Sequence, residues 1–177
     1  MTDAIAYFLT WHTYGTWLRG DPRGWIDRVD DHTELREQHD ELNRQDRERL
    51  KHDPIILSPE MRSCIDTTIR EVCGHRHWML NALNVRSNHV HVIVSVVEDP
   101  DKTMTDLKAW ATRRLREAGL VGADTQLWTK GGSTKHIHND ESLDGAINYV
   151  LYDQDKRTRR SRSGLEVGES SHQGAEL

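Results

Sequence analysis

The stretch Asn88-His89-Val90-His91-Val92-Ile93-Val94 carries the strongest indication of the fold. Its β-branched residues favour a strand, and alternate side chains of a strand point to opposite faces of a sheet. The two histidines therefore share one face, and the valines between them share the other. Polar residues at 86–88 indicate a turn that joins this strand to another apolar stretch. We predict strands over 77–83 and 89–97 that pair as an antiparallel hairpin.

One helix is expected before this hairpin in the chain and one after it. Ser58 before Pro59 is typical of a helix start, and apolar residues recur at helical spacing as far as Cys73. We predict that this helix ends at Gly74, because glycine commonly terminates helices. After the hairpin, a second helix is predicted from about residue 103 to residue 118, closed by Gly119.

The remaining elements complete a known arrangement. Residues 4–13 are aromatic and β-favouring and predict the first strand. A fourth strand is predicted over 126–129, with a second candidate at 135–138, and a last helix over 141–154. The order without the last helix is βαββαβ, which is ferredoxin-like. We therefore predict an α+β fold, in which an antiparallel sheet has its helices on one face and an additional C-terminal helix follows.

Length and charge suggest how the chain is organised. Its 177 residues suit a single domain, which we place at 1–155. A charged insertion at 27–53 holds ten acidic and six basic residues, and we expect an exposed helix or a mobile segment there. The tail at 156–177 is basic and then polar, which predicts disorder. Residues 102–138 hold seven basic and three acidic residues, so a locally positive groove is compatible with the net charge of −5.

Several protein classes are disfavoured. The chain has no apolar run of membrane-spanning length and no basic, then apolar, leader at its start. Cys64 and Cys73 are predicted on one helix, too far apart for a disulfide, and there is no CxxC pair. We expect a cytoplasmic protein that does not contact the membrane.

The two histidines and a tyrosine are the candidate reactive groups. Two imidazoles side by side on one strand can share a divalent metal, although hydrogen-bonded sheet histidines are the common alternative. Tyr149 lies on the last predicted helix, where a tyrosine usually packs against the core. Asp153 follows one helical turn later, and Gln154 lies at the helix end, so either offers an oxygen ligand beside the tyrosine.

These groups suit attack on a phosphodiester. A phenol has a reference pKa near 10, so it needs deprotonation or alignment to act as a nucleophile. A divalent metal polarises a phosphodiester and stabilises the charge of the transition state. Tyr152 is a rival nucleophile, because it lies about 60° around the helix from Tyr149.

Three segments together resemble the single-tyrosine HUH transposases, most of all the REP-associated tyrosine transposases. They are the first strand running into residues 13–21, residues 79–94 with the His-Val-His motif, and residues 128–134 followed by the tyrosine helix, which span most of residues 4–154. The resemblance implies a ferredoxin-like catalytic domain, Mg²⁺ or Mn²⁺ as cofactor, and single-stranded DNA with a foldback hairpin as substrate. It implies transposition of hairpin-bearing elements by a nucleoid-associated enzyme.

The resemblance also assigns roles. His89 and His91 match the metal ligands, and Tyr149 matches the nucleophile that forms a 5′-phosphotyrosine. The family's Tyr-x-x-x-Asn-Pro pattern is absent here, so Asp153 and Gln154 both stand as the third ligand. Relatives work as monomers or as homodimers that exchange the tyrosine helix, and both states are open for this chain.

Contacts with DNA are expected from basic and aromatic residues. The basic candidates are Lys108, Arg113, Lys130 and Lys135. Trp17, Trp25 and Trp128 either stack on bases or pack in the protein. Two other functions stand beside transposition. One is a catalytically silent module that binds DNA hairpins, and the other is a metal phosphoesterase that uses water, with His136 and His138 as spare ligands.

Overall fold

A computed structural model describes residues 4–29 and 32–153, with the side chains of 26–35 and 153 left outside the description. The strands are β1 (Ala6–His12), β2 (Trp25–Val29), β3 (His32–Arg36), β4 (Met79–Val85), β5 (His89–Ser95) and β6 (Ser133–Ile137). The α-helices are α1 (Asp40–Glu48), α2 (Pro59–Arg76), α3 (Pro100–Glu117) and α4 (Asp140–Asn148). A π-helical turn, Tyr149–Asp153, continues α4.

Four strands form one antiparallel sheet in the order β4-β5-β1-β6. Leaving out the β2–β3 hairpin and α1, this is the strand order of a ferredoxin-like βαββαβ fold, as predicted. The predicted hairpin of β4 and β5 is present, and β1 lies between β5 and β6. The register places His12 opposite His89 and Thr10 opposite His91.

Each face of the sheet is covered by different helices. Helices α2 and α3 bury the larger core against one face, where Leu9, Trp11 and the valines of β5 are almost fully buried. The two helices of the βαββαβ order therefore share one face, as predicted. Helix α4 and the π-helical turn pack on the opposite face, around the buried residues Ala6, Ala82, Ile93, Ile137 and Val150. The tyrosine segment therefore lies over the face of β5 that carries His89 and His91.

Element boundaries differ from the predictions, most clearly in three places. Helix α2 passes through Gly74 and ends at Arg76, and His77 takes the left-handed conformation with a φ of 56°. The fourth strand is Ser133–Ile137, while Leu127 and Trp128 are buried in the large core, with Trp128 in an isolated bridge to Thr13. The α-helical part of the last helix stops at Asn148.

The insertion is ordered into two elements within its described residues. The β2–β3 hairpin precedes α1, and α1 buries none of its side chains. Helix α1 contacts the rest of the chain through Gly20, whose main-chain carbonyl accepts from the amide of His39, and through an ion pair between Arg19 and Asp46. A helix was one of the two expectations for this segment, and the hairpin was not foreseen.

Both cysteines are free thiols. Among the described residues, no helix is long and apolar enough to cross a membrane. The predicted tail at 156–177 lies outside the described residues.

Candidate functional site

Both histidines of the motif are held through the same ring nitrogen. The His89 Nδ1 lies 2.7 Å from the side-chain oxygen of Asn88, and the His91 Nδ1 lies 2.7 Å from the Thr10 hydroxyl. An amide oxygen only accepts hydrogen bonds, so Nδ1 of His89 carries the proton. The lone pair of neutral His89 is then on Nε2, which is the nitrogen that a metal would use. Strand pairing brings Thr10 to His91 across 81 residues of sequence.

The turn before β5 is fixed by two threonines of the loop after β1. The main-chain carbonyl of Asn88 accepts from the amide of Thr13 at 2.9 Å and from the hydroxyls of Thr13 and Thr16, each at 3.2 Å. Thr13 is fully buried. These bonds hold the residue that orients His89, so the loop is part of the support of the site.

A third histidine lies next to the predicted pair. His12 on β1 faces His89, with their ring centroids 5.4 Å apart, and the ring of Trp17 packs edge-on against it at 4.1 Å. Burial lowers the pKa of His12 to about 3, with the charges of His89, Arg23 and His91 adding to the effect and Asp21 opposing it. His12 is therefore neutral at physiological pH. His12 was not among the residues predicted for the site.

Tyr149 is the first residue of the π-helical turn and faces the histidines. Its ring centroid lies 6.2 Å from that of His91 and 6.1 Å from that of Phe8. The next residue, Val150, is fully buried, and its main-chain carbonyl accepts a hydrogen bond of 2.7 Å from the Asn84 side chain. Tyr152 is 65% exposed and does not line the cleft over the histidines. The structure thus brings Tyr149 to the histidine pair and leaves Tyr152 outside.

An open cleft of about 1100 Å³ joins these groups. Its floor includes His12, His89 and His91, and Tyr149 lines one side. The loop at 129–133 lines another side, and there the main chain of Gly132 lies so close to Thr10 that any side chain would collide with it. Its volume is just above the upper end of the usual range for ligand pockets, which is about 300–1,000 Å³.

The four basic candidates have different positions. Lys130 and Lys135 are exposed and line the cleft. The Nζ of Lys108 donates to the carbonyl oxygens of Thr129 and Gly131, at 2.9 and 2.8 Å, and burial lowers its pKa. Lys108 therefore supports the loop by these hydrogen bonds and does not itself line the cleft. Arg113 pairs with Glu117 and covers the ring of Trp110 on α3, and it does not line the cleft.

The three tryptophans are packed to different degrees. Trp128 is buried and its indole nitrogen donates to the Lys108 carbonyl, which fits the packing alternative. Trp25 is also buried and donates to the carbonyl of Glu37. Trp17 donates to the carbonyl of Gly24 and lines the cleft beside His12.

The described residues contain only some of the side chains that were predicted to bind a metal. No group of three or more His, Cys, Asp or Glu side chains within this part of the chain is gathered closely enough to hold an ion. His89 and His91 supply a pair with oriented rings. The side chain of Asp153 and all of Gln154, the predicted third ligands, lie outside the described residues. The rings of His136, on β6, and His138, just after it, stack on each other with their centroids 6.1 Å apart. Neither residue lines the cleft.

Comparisons with known proteins bear on this site. A family model described as "Transposase IS200 like" matches residues 49–152, more than half of the chain. A solved REP-associated tyrosine transposase bound to a REP hairpin is 13% identical, with a TM-score of 0.50 over 100% of this chain and 90% of that one. A crystal structure of a predicted transposase from Deinococcus radiodurans R1 is 16% identical, with a TM-score of 0.50 over 87% and 93% of the two chains. No curated protein sequence matches significantly.

Proposed function

Since this chain belongs to the IS200-like transposase family, we propose that it cleaves and rejoins single-stranded DNA with Tyr149 as the nucleophile. The observation that carries the proposal is the packing of Tyr149 beside His91, over a strand that presents two oriented histidines to one cleft. The family match spans all three of these residues. It is a family of DNA-transposing enzymes, and the proposal concerns how this member acts.

In the proposed reaction, the phenol oxygen of Tyr149 attacks the phosphorus of a phosphodiester. A bond forms between that oxygen and phosphorus, and the bond from phosphorus to the 3′-oxygen breaks. The 3′-oxygen leaves and takes up a proton, while the phenol proton is lost to solvent or to a nearby base. The product is a 5′-phosphotyrosine, and attack by a 3′-hydroxyl reverses the step and joins strands.

His89 and His91 are the proposed ligands of Mg²⁺ or Mn²⁺, completed by Asp153 or Gln154. The hydrogen bonds to Asn88 and Thr10 support this role, because metal-bound histidines commonly direct the other ring nitrogen to a hydrogen-bond partner. Such an ion polarises the phosphodiester and stabilises the charge that develops on it. The chain's own groups orient the two imidazoles and hold the tyrosine beside them.

The proposed substrate is a single strand that folds into a hairpin, as the solved relative that is bound to a REP hairpin suggests. Lys130 and Lys135 are proposed to contact its phosphates, because both are exposed at the cleft. Lys108 is proposed to act through the loop that it supports, and Arg113 is the weakest of the four candidates. Such an enzyme would work in the cytoplasm, at the nucleoid.

The reaction is tested with labelled hairpin DNA, Mn²⁺ and a denaturing gel. We expect a covalent protein–DNA band that disappears in Tyr149→Phe and persists in Tyr152→Phe, the matched control three residues along. DNA binding without a covalent band would indicate a silent binding module. Cleaved DNA that still forms with Tyr149→Phe would instead indicate hydrolysis by water and overturn the proposal.

A further inference from the structure

One polar side chain that was not among the predicted site residues ties the tyrosine segment to the sheet. Asn84 lies on β4, directly opposite His91 in the antiparallel register. Its side-chain amide donates the 2.7 Å hydrogen bond to the Val150 carbonyl. Because Val150 follows Tyr149 in the chain, this bond joins the strand beside the histidines to the turn that carries the proposed nucleophile.

The other contacts that the described side chains of this turn make are mainly apolar. The Val150 side chain is fully buried in a cluster with Ala82 and Ile93. Apolar burial is non-directional, so it fixes how deeply the turn sits on the sheet more than how it is rotated. The aromatic rings that contact the Tyr149 ring within the described part of the chain are Phe8 and His91, with edge geometry and centroid distances above 6 Å. Among the described residues, the bond from Asn84 gives this turn a directional contact, since hydrogen bonds weaken steeply as their angle changes.

The local helix geometry makes such a contact important. Tyr149 is the point where α4 changes into a π-helical turn. Turns of this kind are rare, and they are frequent at functional sites. The direction of the Tyr149 side chain depends on this change of helical pitch, and the Val150 carbonyl lies within the altered turn.

We propose that Asn84 is a positioning residue, which sets the direction of Tyr149 toward the histidines of the same chain. Its catalytic consequence rests on the proposed function. Misplacement of a reacting group by about 1 Å costs about 100-fold in rate. Loss of this bond should therefore slow formation of the covalent adduct while leaving DNA binding intact, because Asn84 does not line the cleft.

The test compares two variants with a control on the same strand. Asn84→Leu keeps the size of the side chain and removes the donor, and Asn84→Ser is a milder variant in case the first does not fold. Asn81→Leu is the control, since the Asn81 amide donates to Ser95 Oγ at 3.1 Å, away from the tyrosine turn. Two quantities are measured: the rate of adduct formation at saturating hairpin DNA with Mn²⁺, and the Kd from a titration with the hairpin. A third, hydrogen exchange of the amides of 146–152, does not depend on activity.

For Asn84→Leu we expect the adduct rate to fall about 10- to 100-fold with the Kd within about 2-fold of wild type. We expect exchange to rise at 146–152 only, and Asn81→Leu to match wild type in all three measurements. An unchanged rate and unchanged exchange in both Asn84 variants would overturn the proposal, as would a general rise in exchange with equal loss of binding. If the wild-type protein forms no adduct, the proposed function fails, and the exchange data still decide whether Asn84 fixes the turn.

Discussion

Gly132 offers a sharp test of how the cleft is built. It precedes β6, and a Cβ atom added there would collide with the sulfur of Met104 and lie 2.7 Å from the main-chain oxygen of Thr10. Met104 is only 4% exposed and Thr10 belongs to the central strand, so neither has free space to move into. Over-packing of this kind costs about 1–3 kcal/mol. Since Thr10 also holds His91, Gly132→Ala should disturb the histidine as well as the fold.

The assay is urea unfolding of Gly132→Ala beside Gly145→Ala. A Cβ added at Gly145, within α4, meets no atom within 4 Å. Alanine is favoured over glycine inside a helix by about 0.5–1 kcal/mol, so this control should be more stable than wild type. At an m-value of about 2 kcal/mol/M, the midpoint of Gly132→Ala should fall by about 1 M. Equal stability of Gly132→Ala and wild type would contradict the close packing of the loop against β1.

Three further perturbations test the supports of the site. Thr10→Val should weaken Mn²⁺ binding about 10- to 100-fold in calorimetry, because the ring of His91 loses its partner, whereas Thr10→Ser should bind nearly as wild type. His12 has a folded-state pKa of about 3 against 6.5 when unfolded, so the metal-free protein should lose stability as pH falls from 6.5 towards 3. At pH 5 that loss is about 2 kcal/mol, and urea unfolding of His12→Asn should show a shallower pH dependence. Val150→Ala removes two methyl groups from a fully buried site and should cost about 2 kcal/mol in urea unfolding, whereas Leu151→Ala, at a position 43% exposed, should cost about 0.5 kcal/mol or less.

The parts of the site that lie on one segment were predictable from the sequence. The alternation of His89 and His91 with valines fixed their common face, because a strand has a period of two. Tyr149 was identified through the family resemblance and a helical pattern. The π-helical turn that begins at Tyr149 was not foreseen, since it depends on how the segment packs against Ala82 and Ile93.

The supporting residues were not predictable, because strand register brings them in from distant segments. Thr10 and His12 occupy alternate positions of β1, and only the pairing with β5 places them opposite His91 and His89. A search for polar residues at alternate positions in an otherwise apolar first strand would have found both. Gly74 was wrongly chosen as the end of α2 by its residue type. Helix α2 instead ends where His77 turns the chain so that buried Trp78 enters the core.

The position of the histidines suggests that metal binding and docking of the tyrosine segment are coupled. The two proposed ligands from β5 would leave a metal site incomplete, and the proposed third ligand, Asp153 or Gln154, follows Tyr149 in the chain. An ion that binds the docked segment better than the undocked one stabilises docking by about 2.7 kcal/mol at 100 times its Kd. Mn²⁺ should therefore slow hydrogen exchange at 146–152 in the wild-type protein. This protection should be lost in a double variant, Asp153→Ala with Gln154→Ala, while exchange in the metal-free state stays the same. If the double variant keeps the full Mn²⁺ protection, the third ligand comes from elsewhere, and the tyrosine segment is held by Val150 and Asn84 without help from the ion.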